Sequence, residues 1–196
     1  LPEASIHLFQ TYFFELQRWN RTINLTALSN EKDIIIKHFI DSIAALKIIE
    51  TPCSVNVLDV GAGAGFPALP LKLVRPQISI SLLEPNHKKS AFLRYMIGLL
   101  NIQNATVITQ KLEDYVNQPG VLASFDYIVV RAYNVNKLGP TLASLLRDTG
   151  RVILFRSAKV DHNFTLRSLA LIQEVEYELP SGYGHRALSA FSKQIS

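Results

Sequence analysis

Cysteine is nearly absent from this chain, because Cys53 is the only one among 196 residues. A single cysteine excludes a disulfide within the chain and any metal site built from several thiolates. We therefore expect no bound metal and a reducing compartment, the cytoplasm. The sequence also lacks an apolar run of about 18 residues, so we expect no membrane span, and no signal-peptide pattern opens the given sequence.

Neither positive nor negative side chains dominate the sequence. Lysine and arginine number 20 against 16 acidic residues, which gives a net charge of +4. Apolar residues make up 48% of the chain, enough for the buried core of one domain of ordinary size. The modest basic excess favours a polyanionic partner such as nucleic acid.

What the chain does have is an alternation of helix and strand patterns. Apolar residues at helical spacing predict two helices first, over 2–19 and 30–50. Short apolar runs predict strands over 55–60, 78–84, 105–110, 127–132, 151–155, 175–179 and 187–192. The segments 67–74, 87–101, 137–147 and 163–172 are predicted as the helices between them.

This order predicts an α/β fold with a mostly parallel, doubly wound sheet, preceded by N-terminal helices. The last two strands are joined only by a turn, so they must form an antiparallel pair at the edge of the sheet. We expect residues 1–50 to form a helical extension packed on the core and residues 51–196 to form the ligand-binding domain.

The segment 57–67 reads VLDVGAGAGFP and places three glycines directly after a predicted buried strand. Gly61 would let the chain turn out of the sheet, Gly63 would let a ligand touch the backbone, and Gly65 would begin a helix. Glu84 ends the next predicted strand, where a carboxylate can accept hydrogen bonds from a ribose diol. The pattern predicts a nucleotide-like ligand at the carboxyl ends of the strands.

Other ligands fit the glycines less well. The dinucleotide fingerprint needs glycine or alanine where this chain has Phe66, and the phosphate-binding Gly-x-x-x-x-Gly-Lys-Ser/Thr sequence is absent. A nicotinamide or flavin site, and a tight turn without any ligand, remain alternatives. The spacing D-x-G-x-G-x-G instead resembles the first motif of the class I S-adenosylmethionine-dependent methyltransferases, which have a Rossmann-like fold.

Five blocks make a more specific resemblance: WNRTINLTAL, IIIKHFIDSIAAL, VLDVGAGAGFPALPLKLVRP, HKKSAFLR and FDYIVVRA. Together they resemble the bacterial small-subunit ribosomal RNA guanine-N7 methyltransferases, also called glucose-inhibited division protein B. The resemblance implies methyl transfer from S-adenosylmethionine to N7 of one guanine in the 16S rRNA of the 30S subunit. It implies a cytoplasmic enzyme, and we expect a monomer.

In that family the positions that bind S-adenosylmethionine match Gly61, Phe66, Leu112, Glu113 and Arg131. Arg131 ends an apolar strand, where an unpaired arginine is costly. Its guanidinium could hold the methionine carboxylate or the O6 edge of guanine, so we expect it to position the reactants. Asp59 is expected to organise the glycine loop and the amino group of the cofactor.

The chemistry of guanine N7 agrees with a site that has no obvious base. N7 carries an in-plane lone pair and no proton, so alignment supplies most of the acceleration. Attack through cytosine C5 would need a cysteine nucleophile, and Cys53 precedes the first strand instead. Methylation of an adenine amino group usually shows Asp/Asn-Pro-Pro-Tyr/Phe, where this chain has Arg-Ala-Tyr-Asn at 131–134.

A polar group in the N-terminal helices could shape the guanine entrance. The predicted rim of the pocket consists of Asn24, Thr26, His38, Asp41 and Ser42. The alternative is that these residues only satisfy the loop between the two helices or bond to each other.

Two further points limit the functional prediction. After the fifth strand the family usually carries Lys-Gly, whereas this chain has Arg156-Ser157. The positive charge is kept, but a planar guanidinium replaces the ammonium group and a glycine is lost. A fold does not fix a substrate, so a methyltransferase acting on another RNA, a protein or a small molecule is the alternative. A non-catalytic RNA-binding module is a third possibility.

Overall fold

The computed structural model describes residues 3–51, 54–131, 134–135, 137–161 and 164–194. Sequence predictions that fall on residue 2, Cys53, residues 132 and 133 and residue 163 lie outside these ranges. Within them, one mixed sheet of seven strands organises the chain.

The strand bounds are β1 (Asn56–Val60), β2 (Ser79–Leu83), β3 (Ala105–Ile108), β4 (Phe125–Arg131), β5 (Leu146–Arg156), β6 (Leu169–Glu178) and β7 (His185–Lys193). Their order across the sheet is β3-β2-β1-β4-β5-β7-β6. The first five strands are mutually parallel, and β7 runs antiparallel to both β5 and β6. The predicted fold class and the antiparallel edge pair are confirmed.

The helices flank this sheet and precede it. They are α1 (Glu3–Ile23), α2 (Glu31–Ile34), α3 (Asp41–Ile43), α4 (Ala68–Val74), α5 (His87–Leu99), α6 (Leu112–Tyr115) and α7 (Gly139–Leu145). A π-helical turn (Ile35–Ile40) joins α2 to α3, and a 3-10 turn (Ala44–Lys47) follows α3. No helix in the described ranges is both long and apolar enough to cross a bilayer.

The predicted helix over 163–172 is wrong. Leu166 and Leu169 are spaced as on a helix, but both are buried beside a tight connection in which Ser168 has φ 71°. From Leu169 onward the chain pairs with β7, so strand pairing overrides the local pattern. A Cβ added to Gly139 would lie 2.0 Å from the carbonyl oxygen of Arg167, so glycine there lets this connection pass over the start of α7.

The two faces of the sheet carry different parts of the core. Val57 and Val129 belong to the cluster that includes α1, α4 and α5, whereas Leu58 and Ile128 belong to the cluster on the other face. The alternation follows the period of two along a strand. The glycine loop after β1 shares the first cluster with the N-terminal helices, which therefore pack directly above the carboxyl edge of the sheet.

Candidate functional site

The glycine loop leaves β1 in a left-handed conformation that L-residues with side chains avoid. Gly61, Gly63 and Gly65 have φ values of 74°, 58° and 97°. A Cβ on Gly63 would come no closer than 3.8 Å to a non-neighbouring atom, so the backbone there stands open to a ligand. A Cβ on Gly65 would lie 2.4 Å from Leu69 Cδ1 and 2.6 Å from Tyr12 Oη. Gly65 is therefore needed chiefly for packing under the loop.

Asp59 ties β1 to the helix that follows the loop. Its Oδ2 accepts a hydrogen bond from the Ala68 N–H at 3.1 Å, at the start of α4. Its Oδ1 is buried, and none of the described residues donates a hydrogen bond to it. Burial raises the pKa of Asp59 to about 7, although the Ala68 hydrogen bond and the charge of Arg131 act in the opposite direction. The site thus holds an unpaired acceptor that ionises near neutral pH.

Glu84 fixes the other side of the loop. Its Oε2 accepts from the Gly63 N–H at 2.9 Å, and its Oε1 accepts from the Asn86 N–H at 2.8 Å. Each carboxylate oxygen keeps a second lone pair, so the group can still accept from two hydroxyls of a ribose.

A groove of about 540 Å³ lies along the carboxyl ends of β1, β2 and β3. It is lined by Val60, Gly61, Leu83, Pro85, Gln110, Lys111, Leu112, Glu113 and Asp114. The structure therefore brings Gly61 together with Leu112 and Glu113, three residues that the sequence placed in one site. The mixture of apolar walls and polar side chains suits an adenine ring with hydrogen-bonding edges.

Arg131 ends β4 two residues beyond Val129, the register partner of Asp59, so both side chains lie on the same face of the sheet. Its Nη2 donates to Asp41 Oδ2 at 2.8 Å and to the Lys37 carbonyl oxygen. Its Nη1 is buried and finds no hydrogen-bond acceptor within the described part of the chain. Burial lowers the pKa of Arg131, and Asp41 counteracts that shift, so the group stays charged.

Asp41 is itself held by a residue that the sequence prediction missed. The Tyr177 hydroxyl, on β6, donates to Asp41 Oδ1 at 2.6 Å. Asp41 is 3% exposed and therefore depends on these two donors. The two residues are 136 positions apart, so no local pattern signals this contact.

Phe66 lies in an aromatic layer under the N-terminal helices. Its ring is parallel to Tyr12, with centroids 5.3 Å apart, and to His38, with centroids 4.5 Å apart. The Tyr12 hydroxyl donates to the Ala64 carbonyl oxygen within the loop. Phe66 is 8% exposed and is not among the residues that line the groove. Its evident role is to brace the glycine loop, and Tyr12 is a second residue that the sequence did not reveal.

Most of the predicted rim residues form one network. Thr26 Oγ1 lies 2.7 Å from His38 Nε2, and the Ser42 hydroxyl donates to the His38 carbonyl oxygen. Asn20 holds the backbone of Thr26 at both its N–H and its carbonyl. Burial lowers the pKa of His38 to about 4, so the imidazole is neutral at pH 7. Asn24 is exposed with φ 51° and shapes the turn that follows α1.

The sheet order, the glycine loop after β1 and the acid after β2 define a class I S-adenosylmethionine-dependent methyltransferase. Solved structures agree on the fold. A SAM-dependent methyltransferase from Aquifex aeolicus has a TM-score of 0.62 at 15% identity, covering 86% of this chain and 97% of its own. MtNAS in complex with MTA and tNA has a TM-score of 0.66 at 14% identity, covering 95% and 74%.

Sequence comparison gives the family. The GidB family model, described as rRNA small subunit methyltransferase G, matches residues 5–186. A ribosomal RNA small subunit methyltransferase G from Desulforamulus reducens is 33% identical, covering 100% of this chain and 92% of its own. Its namesake from Lactococcus lactis subsp. cremoris is 32% identical, covering 93% and 80%. The chain belongs to the GidB family.

The residues present fit S-adenosylmethionine. The methionine end of that molecule carries an ammonium and a carboxylate, and the site offers an unpaired acceptor, Asp59 Oδ1, and an unpaired donor, Arg131 Nη1, on one face of the sheet. Glu84 and the groove beside Leu112 follow along the same edge for the ribose and the adenine. Across the described ranges, no three His, Cys, Asp or Glu side chains cluster as metal ligands.

Proposed function

We propose that the protein transfers a methyl group from S-adenosylmethionine to N7 of a single guanine in 16S rRNA, guanine-527 as the family resemblance implies. The observation that carries the proposal is the pair of unpaired buried groups, Asp59 Oδ1 and Arg131 Nη1, beside an open glycine loop. Membership of the GidB family supplies the substrate class.

S-adenosylmethionine, when bound, supplies an electrophilic methyl group on a positively charged sulfur. The N7 lone pair forms the new C–N bond while the C–S bond breaks, and its electron pair stays on sulfur. Guanine N7 loses no proton, so no general base is required and the protein acts by alignment. This agrees with a site in which burial keeps His38 neutral and its Nε2 is engaged by Thr26.

The proposed roles of the side chains follow from their positions. Arg131 Nη1 donates to the methionine carboxylate, and Asp59 Oδ1 accepts from the ammonium. Glu84 accepts from the ribose diol while it holds the Gly63 N–H, so the loop and the ribose share one carboxylate. Leu112 and Glu113 contact the adenine from the groove.

The rRNA would approach the same edge of the sheet from the side of β5 and β7. Arg156 ends β5, and its guanidinium lies 4.8 Å from the centre of the Phe164 ring, which leaves a planar cation beside the carboxyl edge. Arg186 lies near the start of β7, directly opposite Tyr177 in the register of the β6–β7 pair. We expect these arginines to contact phosphates, which would make binding weaken with salt. The proposed form is a cytoplasmic monomer that acts on the 30S subunit.

The direct test is methyl transfer from radiolabelled S-adenosylmethionine to 30S subunits that lack the modification and to naked 16S rRNA. Chemical cleavage at N7-methylguanine maps the product. The proposal predicts label at one N7 position, lost in Arg131→Ala and retained in Gly98→Ala. Label in protein or in a small molecule would contradict it, as would tight cofactor binding without transfer to any rRNA.

A further inference from the structure

Tyr177, Asp41 and Arg131 form a chain of hydrogen bonds between three separate parts of the fold. Tyr177 lies on the edge strand β6, Asp41 begins α3 in the N-terminal helices, and Arg131 ends β4. Tyr177 Oη is 2.6 Å from Asp41 Oδ1, and Asp41 Oδ2 is 2.8 Å from Arg131 Nη2. The chain therefore ties the C-terminal hairpin to the candidate methyl-transfer site.

The geometry divides the Arg131 guanidinium into two ends. Nη2 has two protons, and its two acceptors are Asp41 Oδ2 and the Lys37 carbonyl oxygen in the π-helical turn. Nη1 is buried and has no acceptor among the described residues, so it is the end that the proposed function assigns to the ligand. The direction of Nη1 therefore depends on where Asp41 holds Nη2.

Asp41 needs a second contact to hold that direction. A carboxylate with one bonded oxygen can rotate about its Cβ–Cγ bond, whereas one bonded at both oxygens keeps its plane. The Tyr177 hydroxyl supplies the bond at Oδ1. Burial and the neighbouring Asp41 raise the pKa of Tyr177, so the hydroxyl keeps its proton and remains a donor at neutral pH.

We propose that Tyr177 is a positioning residue that acts through Asp41 to aim Arg131 Nη1 at the methionine carboxylate of the cofactor. The inference rests on the proposed function, in which Arg131 binds that carboxylate. It predicts that loss of the Tyr177 hydroxyl weakens ligands with the methionine carboxylate and spares ligands without it.

The same hairpin offers a matched control. The Tyr183 hydroxyl donates to Asp33 Oδ1 at 2.8 Å and so also joins the hairpin to an aspartate of the N-terminal helices. Asp33 pairs with the Lys37 ammonium at the surface, and neither Tyr183 nor Asp33 has a hydrogen bond to Arg131 or Asp41 among the described contacts. Tyr183→Phe thus removes a similar bond and leaves the bonds between Tyr177, Asp41 and Arg131 in place.

The experiment compares two ligands by calorimetry on the full chain: S-adenosylhomocysteine, which has the carboxylate, and 5′-methylthioadenosine, which lacks the amino-acid part. Tyr177→Phe should raise the Kd of S-adenosylhomocysteine roughly tenfold, the scale of one hydrogen bond to a charged group, and change that of methylthioadenosine less than about twofold. Asp41→Asn should act in the same way, and Tyr183→Phe should leave both ligands unchanged. Combining Tyr177→Phe with Arg131→Lys should add little to Arg131→Lys alone.

Three results would overturn the inference. Equal weakening of both ligands would mean that Tyr177 only supports the fold. An unchanged Kd for S-adenosylhomocysteine in Tyr177→Phe, together with a raised one in Arg131→Lys, would refute the positioning role and leave the proposed function standing. If Arg131→Lys itself spares S-adenosylhomocysteine, the carboxylate assignment in the proposed function fails as well.

Discussion

Gly63 and Gly65 are two residues apart, yet the structure predicts different main consequences for replacing each of them with alanine. Gly65 has φ 97°, and its Cβ would fall within 3 Å of Leu69 and Tyr12, which are both fully buried. Gly63 has φ 58°, and its added Cβ would meet only the Gly61 carbonyl oxygen, at an ordinary van der Waals distance of 3.8 Å. Gly65→Ala should therefore damage the fold, whereas Gly63→Ala should damage the binding of S-adenosylmethionine.

The size of each effect follows from strain and packing. A left-handed alanine costs about 1–2 kcal/mol, and overpacking a closed core adds about 1–3 kcal/mol. Alanine also lowers the conformational entropy of the unfolded chain, which stabilises the folded protein by about 0.4–1 kcal/mol. Gly65→Ala should thus lower the free energy of unfolding by roughly 2–4 kcal/mol, and Gly63→Ala by about 1 kcal/mol.

Urea unfolding and calorimetry with S-adenosylhomocysteine separate the two effects. The fluorescence of Trp19, which packs against Phe92 and Tyr95, reports unfolding. Gly98→Ala on the exposed side of α5 is the control, because nothing lies within 4 Å of its added Cβ and helix propensity favours alanine. Equal loss of stability in Gly63→Ala and Gly65→Ala, or wild-type affinity in Gly63→Ala, would refute this account of the loop.

Three further predictions concern buried charges. Because burial holds the pKa of Asp59 near 7, affinity for S-adenosylhomocysteine should rise between about pH 6 and 8. The free energy of unfolding of the free protein should change in the opposite direction. The stabilisation by the protonated Asp59 carboxyl is fully present below the ordinary carboxyl pKa and is lost as the pH rises through about 7. Asp59→Asn should abolish both pH dependences, as measured by calorimetry and by urea titration. Glu84→Gln should weaken S-adenosylhomocysteine by more than about tenfold, because an amide cannot accept from both the Gly63 and Asn86 N–H groups; an unchanged Kd would count against the loop assignment. Lys72→Met should lower the free energy of unfolding by about 1–3 kcal/mol, because the buried Lys72 ammonium donates to the carbonyls of Pro76 and Ile78. These carbonyls lie at the end of β2 opposite the site, so cofactor affinity should not change. Altered affinity in that variant would contradict the placement of the site.

The sheet could be predicted because its signals are local. Each buried strand is a short apolar run, and the glycines after β1 and the acid after β2 mark the carboxyl edge. There Gly61 and Leu112 line one groove, and Glu84 bonds to the glycine loop. The segment 163–172 misled because two leucines three residues apart suit a helix as well as a turn before a strand. Its pairing with β7 is a non-local interaction that periodicity does not report.

The residues that brace the site could not be predicted, because their contacts are also non-local. Tyr12 reaches Ala64 across 52 residues, and Tyr177 reaches Asp41 across 136. Phe66 is a predicted cofactor contact by family resemblance, and no local pattern signals that its ring also packs against Tyr12 and His38. The π-helical turn that presents the Lys37 carbonyl to Arg131 has no distinct sequence pattern, since the apolar residues around it fit an ordinary helix.

The most direct test of the site is a crystal structure of the protein with S-adenosylhomocysteine. We expect the carboxylate at Arg131 Nη1, the amino group at Asp59 Oδ1, the ribose hydroxyls at Glu84 and the adenine in the groove beside Leu112. Density for the ligand elsewhere, or in that groove with its methionine end turned away from both Asp59 and Arg131, would contradict the account.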